Sequence, residues 1–219
     1  MEKQLLDAIT NTQRCQRNWD LTKQMPQEHI DLLLKIATTT PTKQNREWFQ
    51  IAYTTDRSVI KDLYAMAYDP KDSEFWQKTN TQITSHLVLI YLEHTNEDDV
   101  WKGGGESDDV TNPRWRKENT IMSSGISLGA VAIAANLLGY RTGFCQCFLP
   151  DEFRAYMTKQ FGLPQDGVMG VTLGIGIPKE GVPHTRMFWE EAVAGLHEAD
   201  HQSISTIDPK NITVTRLQK

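Results

Sequence analysis

The chain has 219 residues, 39% of them hydrophobic and 23% charged, with a formal net charge of −5. This composition belongs to a globular protein that can bury a sizeable core, and excludes a disordered or fibrous chain. A mildly acidic chain without a strong basic run is a poor general binder of nucleic acid.

Met1 to Thr10 reads as a short amphipathic helix with Leu5, Leu6 and Ile9 on one side, and "RCQRNWD" follows as a loop. From Pro26, "PQEHIDLLLKIATTT" sets proline and glutamate early, then Ile30, Leu33, Leu34 and Ala37 at helical spacing. "PTKQNRE" is a loop, "WFQIAYTT" alternates like a strand, "SVIKDLYAMAYD" returns to helix, and "EFWQKTNTQITS" is a further helical stretch. "HLVLIYLE" is a continuous apolar run of strand length, which suggests a strand buried on both faces. "EDDVWKGGGESDDVTNP" is an exposed loop whose glycines lack the spacing of a phosphate-binding loop.

Ile121 to Tyr140 carries no formal charge, a length that spans a bilayer. Ser123, Ser124, Ser127 and Asn136, with small residues at Gly125, Gly129, Ala132 and Ala135, favour a buried helix at a core or subunit interface over a membrane segment. "YRTGFCQCF" is then a short strand or turn, "PDEFRAYMTKQFG" a helix closed by Gly162, and "GVMGVTLGIGIP" the last strand. A final helical stretch holds "FWEEAVAGLHEADHQ" ahead of a polar tail. No repeat or linker divides the chain. The expectation is one α+β domain over residues 1–219, with its core at about 10–195 and a tail at 196–219.

Cys15, Cys145 and Cys147 form no disulfide framework, because Cys-x-Cys is too close for easy bridging. With no apolar leader in the first fifteen residues, the expected compartment is the cytoplasm.

Four stretches carry chemistry. Arg14 and Arg17, three apart in a loop after a helix, can converge on one phosphate; the alternative is two solvated surface arginines. Asn45, central in "PTKQNREW", offers a donor and an acceptor suited to a heteroaromatic edge, or serves only the turn. His184 and Arg186 follow the last strand, and either add positive charge at a phosphate or decorate a loop. Finally, His197-Glu198-Ala199-Asp200-His201 is a formal match to the zinc-protease pattern H-E-x-x-H. A zinc site needs a third ligand, and downstream only Asp208 offers itself, so the stretch reads as the exposed end of a terminal helix and no metal site is expected.

The loops and elements in this order resemble the FMN-dependent nitroreductases. Gln13-Arg14-Cys15-Gln16-Arg17-Asn18-Trp19 is similar to the family's opening Arg-Arg-Ser-x-Arg-x-Phe box. Pro41, Thr42, Asn45 and Trp48 match its second box, with one position lost after Asn45 and glutamate in place of a glutamine. "SHLVLIYLE", "EDDVW", "GISLGAVAIAANLLGYRTGFCQCF" and "GVTLGIGIP" with "HTR" resemble the buried strand, the segment after it, the long central helix with its turn, and the last strand with its basic pair. The resemblance implies a nitroreductase-like fold with a central, mostly antiparallel sheet, and a homodimer with flavin at the subunit interface. It implies that Arg14, Cys15 and Arg17 hold the FMN phosphate and ribityl chain, with His184 and Arg186 closing the cradle. Asn45 would face the flavin ring, Gln77 and Asn80 would add contacts, and the amides of Gln146 and Cys147 would approach it. The implied reaction is ping-pong hydride transfer from NADH or NADPH to a nitroaromatic, quinone or related small-molecule acceptor, with no catalytic side chain. Here Cys15 stands in place of a serine, Gln146-Cys147 in place of Glu-Gly, and His184 in place of a lysine. A second reading keeps the fold for a relative that binds or consumes flavin without being a reductase.

Overall fold

The computed structural model describes residues 1–13, 15–67, 80–93, 112–148, 150–162 and 171–181. Helices α1 (Glu2–Thr12), α2 (Gln27–Thr39), α3 (Arg57–Met66), α4 (Pro113–Leu137) and α5 (Pro150–Phe161) surround strands β1 (Phe49–Thr54), β2 (Leu87–Glu93), β3 (Arg141–Cys145) and β4 (Val171–Gly176). The four described strands form one sheet in the order β1-β2-β4-β3, and every pairing is antiparallel. The expected α+β class and sheet type are both present.

Strand β2 is apolar at nearly every position because both of its faces are covered. Leu87, Leu89 and Tyr91 join Ile30, Leu33 and Ala37 of α2 and Leu128, Val131 and Ala135 of α4 in one core cluster. Val88, Ile90 and Leu92 face the opposite way, into a second cluster with Ile60 and Leu63 of α3 and Phe153 and Met157 of α5. Each such side chain contributes about 1.5–3 kcal/mol on burial, which makes this strand the spine of the molecule.

Helix α4 is the uncharged segment, and it begins earlier than the apolar pattern indicates. Asn112 caps it by accepting the Arg114 amide at 3.0 Å, with Pro113 in the first turn, so the charged "RWRKEN" is already helical. Its buried stripe is made of small and hydroxylated residues whose polar atoms find protein partners. Ser127 donates to the Ala37 carbonyl at 2.7 Å, and the Tyr91 hydroxyl donates to Ser127 Oγ at 2.9 Å. Burial pushes the Tyr91 phenol up to about 12, so it keeps the proton it donates. The helix is long and apolar enough to cross a membrane, yet half of its most apolar window is buried within this fold, as in a core helix. It ends in a Schellman motif: Tyr140 N–H returns to Ala135 O at 2.9 Å, Gly139 N–H to Asn136 O at 3.1 Å, and Gly139 takes φ +91°.

Helix α1 departs from the simple amphipathic expectation. Ala8 is its buried residue, whereas Leu5, Leu6 and Ile9 are exposed. The apolar side exists, but the described residues do not cover it. Of the "EFWQKTNTQITS" stretch, the described part is a 3₁₀ turn at Thr81–Thr84, and the rest lies outside the described residues, as do the Gly103–Gly105 loop and the terminal helical stretch.

Two glycines draw other segments onto the sheet. Gly143 of β3 and Gly174 of β4 are partners in the register. A Cβ on Gly143 would stand 2.5 Å from Gln82 Cβ and 2.6 Å from the Gln16 carbonyl oxygen, and one on Gly174 would collide with the Gln82 carbonyl oxygen. The Thr81–Thr84 turn and the loop at residue 16 therefore lie directly on backbone, at a distance only glycine permits.

His86 ties the same region together. Its Nε2–H is shared between the carbonyls of Asp20 and Lys23, each at 3.1 Å, while Nδ1 accepts the Ile177 amide at 3.4 Å. That arrangement needs the neutral ring, and desolvation holds its pKa below the usual 6.5. The folded state thus binds fewer protons than the unfolded chain. The contribution is complete above pH 6.5 and is lost as pH falls through the depressed folded value. Urea unfolding at pH 7.5 and pH 5.5 should show the wild type weaker at the lower pH and His86→Asn less sensitive over that interval; equal slopes would refute the assignment.

Candidate functional site

The loop Cys15–Asp20 runs along the ends of β3 and β4. Gln16 N–H bonds Thr142 O at 2.9 Å, Trp19 bridges Pro178, and Asp20 N–H bonds Ile177 O at 2.9 Å. Trp19 anchors it: the indole is buried, and Nε1–H donates to Thr81 O at 2.9 Å. Thr81 Oγ1 donates in turn to the Arg17 carbonyl at 3.1 Å.

Around this anchor the candidate residues gather. Cys15 Sγ donates to Phe144 O at 3.5 Å, two residues ahead of Gln146. Arg17 is buried, with Nη1 donating to the Cys15 carbonyl at 3.3 Å. Asn80 is buried, its Nδ2 donating to Ala67 O at 2.8 Å and its Oδ1 accepting from Gln82 Nε2 at 3.3 Å. Gln146 and Cys147 are exposed on the turn that leaves β3. Cys15, Arg17 and Asn80 are thus linked through Thr81 and Gln82, and Gln146 and Cys147 follow Phe144, which Cys15 contacts.

Gln82 belongs with them, although nothing in its own stretch of sequence marks it. It is buried against Gly143, and its Oε1 has no hydrogen-bond partner among the described residues. A buried acceptor left open is costly unless something supplies a donor. Only the glycine opposite, whose missing Cβ admits it, could have signalled its place.

Asn45 stands elsewhere. It is exposed at φ +53°, after Gln44 at φ +58°, in the 3₁₀ turn Lys43–Asn45. Two non-glycine residues in the left-handed region mark a strained turn that its surroundings must hold. Trp48 Nε1–H donates to Lys43 O at 2.8 Å, Lys43 Nζ lies 4.4 Å from the Trp115 ring centroid, and Thr120 Oγ1 donates to Trp48 O at 3.0 Å. The loop is therefore fixed to the front half of α4, beside edge strand β1. The Cys15 loop meets β3 at the other edge, where Asn136 reaches Thr142 Oγ1 at 3.5 Å. Thr120 and Asn136 are separated by roughly 24 Å of helix rise. One chain does not bring Asn45 beside Cys15. Arg14, Gln77, His184 and Arg186 lie outside the described residues, as do His197, Glu198 and His201.

The sequence matches the nitroreductase family over residues 11–177. No curated protein matches it. Among solved structures, it is similar to a nitroreductase with bound FMN from Bacteroides fragilis, at 17% identity over 97% of this chain and 98% of that one, with a TM-score of 0.61. It is also similar to nitroreductase A from Vibrio parahaemolyticus, at 15% identity over 92% of this chain and 78% of that one, with a TM-score of 0.61. The NfrA1 nitroreductase of Bacillus subtilis aligns at 15% identity over 80% and 67% of the two chains, with a TM-score of 0.62. Identities this low speak to the fold, and the family match spans most of the chain: this protein belongs to the nitroreductase family of oxidoreductases.

Proposed function

We propose that the chain is an FMN-dependent oxidoreductase that passes hydride from NADH or NADPH to a nitroaromatic, quinone or related acceptor in ping-pong order. The observation that carries this reading is the convergence of the Cys15–Asn18 loop and the Thr81–Thr84 turn on β3 at Gly143 and Phe144, just ahead of its exit. The residues suit the cofactor. The Arg17 guanidinium supplies charge for a phosphate, and the open Gln82 Oε1 beside Asn80 supplies an acceptor for a ring N–H. The Gln146 amide, past the last ladder bond, is a donor for ring oxygen or nitrogen, with Cys147 beside it. FMN, when bound, supplies the two-electron chemistry; the protein binds and orients it, and no side chain need transfer a proton. Arg14, Gln77, His184 and Arg186 complete this cradle in our reading. The three cysteines are thiols outside any disulfide, in keeping with a reducing compartment such as the cytoplasm.

The separation of Asn45 from Cys15 favours a homodimer in which the Asn45 turn of one copy closes the site of the other. The exposed apolar residues support it: Leu5, Leu6 and Ile9 on α1, and Ile121, Met122 and Ile126 on the outer face of α4. The purified protein should be a yellow dimer by light scattering, with FMN absorbance bleached by anaerobic NADH or NADPH. Ile126→Arg should be monomeric and lose its flavin. A colourless protein that takes up no added FMN would overturn the reading, whereas bound FMN that no nicotinamide reduces would favour a flavin-binding relative.

A further inference from the structure

Three cysteines lie on or beside the end of β3. Cys145 is buried against the Phe153 and Met157 cluster, Cys147 is exposed, and Cys15 is half-buried with its Sγ 3.3 Å from where a Gly143 Cβ would stand. The Cys145 and Cys147 thiols hydrogen-bond to one another, and the Cys147 amide donates to the Cys145 sulfur. Residues two apart on a strand point to the same side. Fully extended, their Cα atoms stand roughly 6.6 Å apart, near the upper limit for a disulfide. The ladder ends at Cys145, so no strand pairing holds the chain beyond it at that full extension. Each flank of the turn is held. Thr172 Oγ1 donates to Cys145 O at 3.1 Å, and the Phe148 ring packs on Phe153 with centroids 4.5 Å apart.

We propose that Cys145 and Cys147 are a reversible thiol pair, oxidised by hydroperoxides to a Cys145–Cys147 disulfide. Exposed Cys147 is the sulfur that meets the oxidant. Its thiolate attacks the peroxide O–O bond; an S–O bond forms, the O–O bond breaks, and the leaving oxygen departs as hydroxide and takes up a proton. The Cys145 sulfur then attacks the sulfenic sulfur; the S–S bond forms, the S–O bond breaks, and water leaves with the Cys145 proton. Two thiols are oxidised and one peroxide is reduced to two waters. The division of labour fits the environments. The hydrogen bond shared with Cys147, and then burial, push the Cys145 thiol well above its ordinary range, so it holds its proton until Cys147 has reacted. A bridge across so short a loop is strained, and strained bridges are readily reduced, which makes the pair a switch and not a structural staple. Cys15 has its own partner in the Phe144 carbonyl and stays outside the couple.

The test uses the full-length protein as purified, reduced and desalted. It is treated with one equivalent of hydrogen peroxide, alkylated with N-ethylmaleimide and mapped by tryptic mass spectrometry. Two of the three thiols should escape alkylation, and the loss of two hydrogens should lie within the single peptide 142–154 that carries both Cys145 and Cys147. Dithiothreitol should restore them. Cys15→Ser should form the same bridge within peptide 142–154, and Cys147→Ser should form no internal bridge. Full alkylation of all three thiols after peroxide, or a bridge that includes Cys15, would overturn the proposal. The readout counts thiols, so its failure would leave FMN binding untouched, and a failure to bind FMN would leave the thiol result standing.

Discussion

Gly174→Ala is expected to cost the fold roughly 3 kcal/mol or more, and Gly174→Val to prevent native folding, through overpacking against backbone. The cause lies in what the new Cβ meets. It would run into the Gln82 carbonyl oxygen, with Ser85 Oγ at 2.9 Å and the Gln82 carbonyl carbon at 3.0 Å. Two of these atoms are backbone and cannot rotate away. The segment cannot easily lift either: Trp19 Nε1–H holds Thr81 O, and Ser85 Oγ accepts the Ile175 amide at 3.1 Å. A domain of this size loses about 2–4 °C of Tm per kcal/mol, so thermal unfolding should fall by about 10 °C for the alanine variant. A control at Gly125, where a Cβ meets nothing within 4 Å, should melt like the wild type. Equal melting of the Gly174 and Gly125 alanine variants would mean that the Thr81–Thr84 turn does not lie on the sheet as described.

Arg17→Ala should weaken FMN binding by about tenfold to a hundredfold, the range expected when a charge-assisted hydrogen bond to phosphate is lost. The fold holds Arg17 in place: it is buried, its carbonyl accepts from Thr81 Oγ1, and its Nη1 donates to the Cys15 carbonyl. Arg17→Lys should recover part of the loss, because lysine keeps the charge without the planar fork. Riboflavin, which lacks the phosphate, should bind the wild type and Arg17→Ala about equally. Titration by flavin fluorescence quenching measures all three comparisons. An unchanged Kd for FMN in Arg17→Ala would remove this residue from the cradle.

Much of the frame is legible in the amino-acid order alone. The apolar run of β2 suits only a strand covered on both faces, and the alternation in "WFQIAYTT" marks β1, because side-chain period follows directly from backbone geometry. The start of α4 is less visible, since "RWRKEN" has no apolar stripe; the Asn112-Pro113 cap is the only local signal. At α1, periodicity identifies an apolar side but not what covers it, because a pattern on one element carries no information about its neighbour. The site divides in the same way. Cys15 and Arg17 stand out as a cluster close in sequence. Gln82 does not, because its importance comes from Gly143, sixty-one positions later and brought opposite only by the sheet. The distance between Asn45 and Cys15 is equally invisible, being a matter of strand order and not of any residue type.

That strand order has a consequence for how the protein is made. Strand β4 lies between β2 and β3, both of which precede it in the chain. A ribosome therefore releases β1, β2 and β3 before the piece that joins them exists. Until residues 171–176 emerge, β2 and β3 each lack the neighbour that β4 supplies, and β2 is the most apolar of the described strands. Such unpaired edges invite intermolecular pairing. Biosynthesis of this protein thus carries a late, all-or-none closure, and a truncation just ahead of Val171 would leave a chain suited to aggregation and dependent on chaperones.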